Sequence, residues 1–224
     1  MNVPRALSSC MLLVASACAP MPPSAAPLEV ERSPVFAKKR VSMAEASEQF
    51  QREGVQPGQA LPKLALLALD GTPVDLDAMR AGRPMVLVTC SLTCNVARRS
   101  QANVAALQQR LGERAFVVMI YTIDAHPKTD ASPYTGDEWV PRDNEQDGVL
   151  VRQPATLAER LALAERYAST LAKGTTVLVD TMADSAWMAL GRAPNVGIAV
   201  AADGVVVARS GWFDPAALEP SLRD

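Results

Sequence analysis

The chain is 224 residues long, 49% hydrophobic and nearly neutral, with a formal net charge of −2. That length suits one domain with appendages, and the apolar fraction is ample for a core. The charge balance gives no electrostatic basis for nucleic-acid binding, and 4% aromatic residues leave few stacking platforms.

Residues 1–18 read as a targeting segment. Arg5 precedes the apolar core Met11-Leu12-Leu13-Val14-Ala15, and the small residues Ala15-Ser16-Ala17 lead into Cys18. Small residues followed by cysteine resemble the bacterial lipoprotein signal. The resemblance implies lipidation of Cys18, and Ala19 after it implies an outer-membrane destination. Cys10 also follows small residues, with too little apolar sequence before it. The alternative is ordinary signal cleavage and secretion. The segment is too short to span a bilayer, so the membrane is expected to be touched only through the N-terminal lipid. A periplasmic outer-membrane lipoprotein is the expected form. Cys90 and Cys94 are then the cysteines of the folded part, in a compartment where disulfides persist.

Residues 19–55 read as a Pro/Ala-rich tether followed by a short helix over 41–53, and residues 56–224 as the folded domain. After the entry loop at 55–62, the runs 64–69 and 72–76 flank Asp70-Gly71 as a hairpin. A helical turn is expected over 75–80. Met85-Val86-Leu87-Val88 is a buried strand, the polar turn Thr89-Cys90-Ser91-Leu92-Thr93-Cys94 follows, and a helix runs from about Asn95 to Leu111. The run 115–121 is a further apolar strand, so this segment is a right-handed parallel crossover. Residues 122–153 form a long polar loop holding His126, the single histidine of the chain. Pro154 and Thr156 open a helix, 175–179 is a strand, and 185–190 a short helix. The strands 196–200 and 205–208 turn at Asp203-Gly204, and Asp214 caps a last helix. This order is α/β, with a mixed central sheet flanked by helices and an N-terminal β-hairpin extension.

Cys94 stands where strand becomes helix. Unpaired amides and the positive end of the helix dipole favour a thiolate there, and Arg98 and Arg99 add positive charge. Such positions lower a thiol pKa from about 8.5 to roughly 3.5–7.5. A buried, inert thiol is the competing reading.

The motifs Arg83–Cys94 (RPMVLVTCSLTC), Ile120–Pro127 (IYTIDAHP) and Val177–Trp187 (VLVDTMADSAW) resemble the iodothyronine deiodinase family, particularly its bacterial members, over roughly residues 60–222. Glu138-Trp139 and residues 144–153 resemble the loop of that bacterial branch. The resemblance, together with the placement of Cys94, implies a thioredoxin-like fold with a peroxiredoxin-type hairpin. It implies Cys94 as nucleophile, in the place of selenocysteine in animals, with Asp124 as the acidic partner, His126 of the Ala-His-Pro motif, and Tyr121. The second cysteine often found two residues before the nucleophile is Leu92 here. The further histidine of the animal enzymes has no counterpart. Val196 stands near the place of the peroxiredoxin arginine, for which Arg192 is the nearest substitute.

The chemistry expected is that of a thiol oxidoreductase without cofactor. Cys94 attacks a disulfide, a peroxide or, third in order, a halogenated aromatic ring, and an external thiol or thioredoxin-like protein returns the electrons. Cys90 resolves the oxidised sulfur if the turn brings the two Cα atoms within about 7 Å, and is inert if it points into the core. Asp124 and His126, two positions apart in an extended segment, share a face, so the carboxylate raises the imidazole pKa and fixes its tautomer. Ser91 and Thr93 either donate to the thiolate or close local turn bonds. A second reading is a copper-binding module similar to the chaperones of cytochrome oxidase assembly, with Cys90, Cys94 and His126 as ligands. A third is a non-catalytic lipoprotein that keeps the fold.

Overall fold

The computed structural model describes residues 43–222. The signal segment, Cys18 and the tether before residue 43 lie outside the described residues. The elements run α1 (Met43–Arg52), β1 (Leu66–Leu67), β2 (Pro73–Val74), α2 (Leu76–Arg80), β3 (Met85–Cys90), α3 (Asn95–Leu111) and β4 (Phe116–Tyr121). They continue with α4 (Arg142–Gln146), α5 (Leu157–Ala168), β5 (Thr176–Asp180), α6 (Ser185–Ala189), β6 (Gly197–Val200), β7 (Val206–Ser210) and α7 (Pro215–Leu218), which tightens into a 3-10 turn over Glu219–Leu222. Among these helices none is long and apolar enough to cross a membrane.

The strands form one mixed seven-stranded sheet in the order β2-β1-β5-β4-β3-β6-β7. Three central strands, β3, β4 and β5, run parallel, and β1 and β6 flank them antiparallel. The N-terminal hairpin is present but shorter than its hydrophobic run suggests. β1 pairs with β2 on one side and with β5 on the other, while Asp75, at the end of the second run, caps α2 through the amides of Asp77 and Ala78.

Alternation along β3 sets the two faces of the sheet. Val86, Val88 and Cys90 join the core formed with Val104, Leu107 and Leu111 of α3 and with Ala164 and Tyr167 of α5. Met85 and Leu87 join the opposite core, with Phe50, Val55 and Leu190. Full burial of each such aliphatic side chain is worth roughly 1.5–3 kcal/mol. Cys94, beyond the strand end, belongs to the same core as Cys90.

The packed body begins upstream of residue 56: α1 stands where a short helix was expected over 41–53, and it packs onto the domain. Phe50 and Val55 are buried, and Arg209 donates to the carbonyls of Phe50 and Glu53, both at 2.9 Å. At Gly54 (φ +75°) a Cβ would lie 2.5 Å from the Gly191 nitrogen, so the chains meet there backbone to backbone. Arg192 pairs with Glu53 at 3.3 Å.

Candidate active site

The site is assembled at the C-terminal ends of the parallel strands, the edge where open α/β sheets gather their chemistry. β3 ends at Cys90, the turn Ser91–Thr93 follows, and Cys94 is the N-cap of α3, its sulfur accepting the Ala97 amide at 3.3 Å. The turn closes when the Cys94 amide donates to the Ser91 carbonyl at 3.2 Å. A cysteine cap is weaker than the usual Ser, Thr or Asp cap. Its presence there aims the thiol at the amides of the first helical turn.

Asp124, fully buried past the end of β4, organises this turn. Its Oδ1 accepts from the Thr93 amide at 3.0 Å and the Thr93 hydroxyl at 2.8 Å. Its Oδ2 accepts from the Tyr121 hydroxyl at 2.8 Å, and that oxygen in turn accepts the Leu92 amide at 3.2 Å. The backbone of Asp124 is held by Gln153, whose Oε1 accepts the Asp124 amide (3.0 Å) and whose Nε2 donates to the Asp124 carbonyl (2.7 Å).

One expected role is therefore corrected, and the alternative left open for Thr93 is decided. Asp124 spends its oxygens on the cysteine turn, not on His126. Thr93 directs its one hydroxyl proton to Asp124, not to the sulfur, and accepts the His126 amide at 3.0 Å. Ser91 Oγ accepts the Ala125 amide at 3.2 Å. Both hydroxyls close structural bonds between the turn and the Ala-His-Pro segment.

His126 is 6% exposed. Its ring meets Trp139 edge to face, with centroids 4.3 Å apart, and bonds to the Trp139 backbone. Nδ1 is buried without a hydrogen-bond partner. Burial pushes the imidazole pKa down to about 4; the Trp139 bond opposes this and Arg98 adds to it. The expectation of a carboxylate-raised histidine is reversed: the ring is neutral near pH 7.

The thiol expectation is reversed as well. Cys94 is 1% exposed, and burial pushes its pKa up to about 11 despite the amides of Ala97 and Val96 and the charge of Arg98, which lower it. The helix N-terminus acts as expected, but desolvation is the larger effect. Cys90 is fully buried, raised by burial and by Cys94, and lies against the Tyr167 hydroxyl. Both thiols are free.

The cover comes from the long loop, which is more ordered than its composition suggests. Tyr134, Val149 and Val151 pack on the core that contains Cys94. Tyr134 accepts the Trp187 indole N–H at 3.0 Å. Within the loop, α4 places the fully buried Asn144 against the cysteine turn: Nδ2 donates to the Thr93 carbonyl at 2.8 Å, and Oδ1 accepts from Arg98 at 3.0 Å. Arg98 also donates to the Leu92 carbonyl at 2.9 Å and pairs with Asp147 at 2.8 Å. Asn144, Gln153 and Tyr134 were not singled out from the sequence. Nothing in a polar loop without periodicity distinguishes a buried amide from a solvated one.

The copper set is not assembled. Among the described residues, no three His, Cys, Asp or Glu side chains converge as a metal site.

The sequence profile of the family described as iodothyronine deiodinase matches residues 37–211. The chain belongs to the iodothyronine deiodinase family. The deiodinase match spans both cysteines, the Ala-His-Pro segment and the covering loop, and it supports a redox function. The fold is thioredoxin-like. A putative thiol:disulfide interchange protein DsbE from Chlorobium tepidum superposes with a TM-score of 0.50 at 17% identity, over 75% of this chain and 96% of that one. An exposed lipoprotein thioredoxin from Streptococcus pneumoniae gives 0.49 at 15% identity, over 72% and 98%. A secreted disulfide oxidoreductase from Mycobacterium tuberculosis gives 0.46 at 13% identity, over 71% and 94%. No curated protein matches the chain.

Proposed function

We propose that this deiodinase-family chain is an exported thiol-dependent oxidoreductase with Cys94 as the reacting sulfur. The reading rests chiefly on one observation: the Cys94 sulfur caps α3 and accepts the Ala97 amide. In the closed form described above the thiol is protonated. Admitting substrate brings in water and lessens the desolvation that dominates its pKa, leaving the amides and Arg98 to favour the thiolate.

With a disulfide substrate, the Cys94 thiolate attacks one sulfur and the other leaves as a thiol, taking up the proton. Once opening relieves the burial of Cys90 in the core it shares with Cys94, the Cys90 thiolate attacks the Cys94 sulfur of the mixed disulfide. The second substrate thiol departs, and a Cys90–Cys94 disulfide remains for an external dithiol to reduce. With a peroxide, the Cys94 thiolate takes one oxygen as the O–O bond breaks and the rest leaves as an alcohol or water; the sulfenic acid then condenses with the Cys90 thiol and releases water. A halogenated aromatic ring is the third substrate class. His126, held neutral by burial, serves as the proton acceptor. Asp124, Thr93, Tyr121 and Ser91 hold the turn. The segment around Cys18 supports export and anchoring by lipid at the outer membrane.

The test offers the reduced protein a glutathione-type disulfide, hydrogen peroxide and an iodinated phenol. Products and cysteine masses are followed together. Cys94→Ser is expected to abolish turnover of whichever substrate is used, and Cys90→Ser to stall the disulfide reaction as a mixed disulfide on Cys94. Full turnover by Cys94→Ser would overturn the assignment.

A further inference from the structure

The strongest ties between the covering loop and the cysteine helix converge on Arg98. This side chain is one helical turn beyond Cys94, with 14% of its surface exposed. One amino group bonds to the Leu92 carbonyl and to Asn144 Oδ1, and the other pairs with Asp147. Asn144 links the same guanidinium to the Thr93 carbonyl, the peptide immediately before the nucleophile. Asp143, on the outer side of α4, pairs with Arg99 and accepts from Asn95. The first turn of α3 therefore holds α4 by its cations, and these are the cations nearest the sulfur along the chain.

We propose that α4 is a latch on Cys94, in which Asn144 positions the Thr93–Cys94 peptide and Asp147 offsets the Arg98 charge beside the cysteine turn. This rests on the assignment of Cys94 as the reacting sulfur. Closed, the latch gives Arg98 a carboxylate of its own and shuts the thiol from water. Lifted, α4 takes Asp147 and Asn144 with it. Arg98, still held by the Leu92 carbonyl, then acts on the sulfur with its charge uncompensated, while water reaches the thiol. Both changes act in the same direction, so opening and activation are one event.

The other groups electrostatically coupled to Cys94 include Asp124 beyond β4, Cys90 at the end of β3, Tyr134 in the loop and Tyr167 of α5. None of these is the carboxylate that Arg98 pairs with, so Asp147 can be neutralised without touching them. Arg98 also acts on His126, whose protonation it disfavours.

The test measures the rate of Cys94 alkylation by iodoacetamide against pH in the intact protein, with the modified site read by mass spectrometry. Asp147→Asn is expected to move the midpoint of the profile down by about 0.5–1 pH unit, a change in line with one charge several ångströms away in a partly solvated site. Glu219→Gln removes an equal charge from the far end of α3, where Glu219 pairs with Arg110, and is expected to leave the midpoint in place. Asn144→Ala is expected to raise the rate at every pH by loosening the cover, and Asn144→Asp does not restore the wild-type rate. An unmoved midpoint in Asp147→Asn, or an equal movement in Glu219→Gln, would overturn the latch. The profile reads the thiol and not turnover. A shifted profile in a protein that turns over none of the three substrates would sink the oxidoreductase reading and leave the latch standing.

Discussion

Thr93 and Asp124 are bonded to each other twice, amide and hydroxyl of the one to a single carboxylate oxygen of the other, at 3.0 and 2.8 Å. The residue before the nucleophile is thereby fixed to the residue two before the histidine. Both partners are fully buried, so water cannot replace either bond.

That pair gives a graded stability series. Thr93→Ser keeps both donors and is expected to cost less than about 1 kcal/mol. Thr93→Val removes the hydroxyl, leaving the His126 amide without its acceptor, at a cost of roughly 1–3 kcal/mol. Asp124→Ala orphans the Thr93 amide and the Tyr121 hydroxyl together and is expected to cost roughly 2–4 kcal/mol. Denaturant midpoints check the order. Thr93→Val as stable as Thr93→Ser would show that the hydroxyl bridge contributes nothing.

His126 and Asp180 give opposite pH dependences over the same range. His126 is held down to about 4 by burial, so the unfolded chain binds this proton from about 6.5 and the native state only lower; stability falls as pH drops from about 6.5 to 4. Asp180 is pushed up to about 6 by burial, although the Trp187 and Ala186 amides and Arg160 oppose this. The native state therefore keeps a proton that the unfolded chain releases near 3.9, and stability falls as pH rises from about 4 to 6. Each contribution is on the order of 3 kcal/mol, and in the native protein they largely offset. Melting temperatures between pH 4 and 7 are expected to fall with rising pH in His126→Gln, and to rise in Asp180→Asn, relative to wild type. Parallel curves for all three proteins would remove both groups from the pH response.

The N-terminal junction gives a steric contrast. Gly54 and Gly58 have positive φ, +75° and +86°, and both pay the same left-handed backbone strain when substituted, about 1–2 kcal/mol. A Cβ at Gly58 meets nothing within 4 Å, whereas at Gly54 it meets the backbone of Gly191 and Leu190 at 2.5–2.8 Å. Gly54→Ala is expected to cost about 1–3 kcal/mol more than Gly58→Ala, measured by thermal unfolding. Equal losses would mean that α1 is not seated against the turn after α6.

Much of the architecture was legible because hydrophobic period and caps agree along the chain. Asn95–Leu111 was bounded by the change of period after Cys94, and Thr156 closes a full capping box with Glu159. The hairpin is shorter than its hydrophobic run because β1 must also pair with the distant β5, and the packing of Phe50 depends on Arg209, far along the chain. The motifs drew attention to Cys94, Asp124 and His126 as candidates, but their protonation was not readable from them. The shifts in Cys94 and His126 come from burial, and that burial is made in large part by a loop whose sequence looks solvated. The role of Asp124 was misread for a related reason. Alternation along an extended segment says which face a side chain shares, not which donors wait on that face.

Gln153 places a side-chain carboxamide where a neighbouring strand would place a peptide, accepting from and donating to the same residue. Asp124 is thus paired as though the sheet continued one step past Tyr121. Its amide proton will exchange with deuterated solvent at the pace of β4, not of a surface loop. A glutamate at position 153 would keep the acceptor for that amide and lose only the donor to the Asp124 carbonyl, whereas a leucine there would remove both and open the amide to exchange.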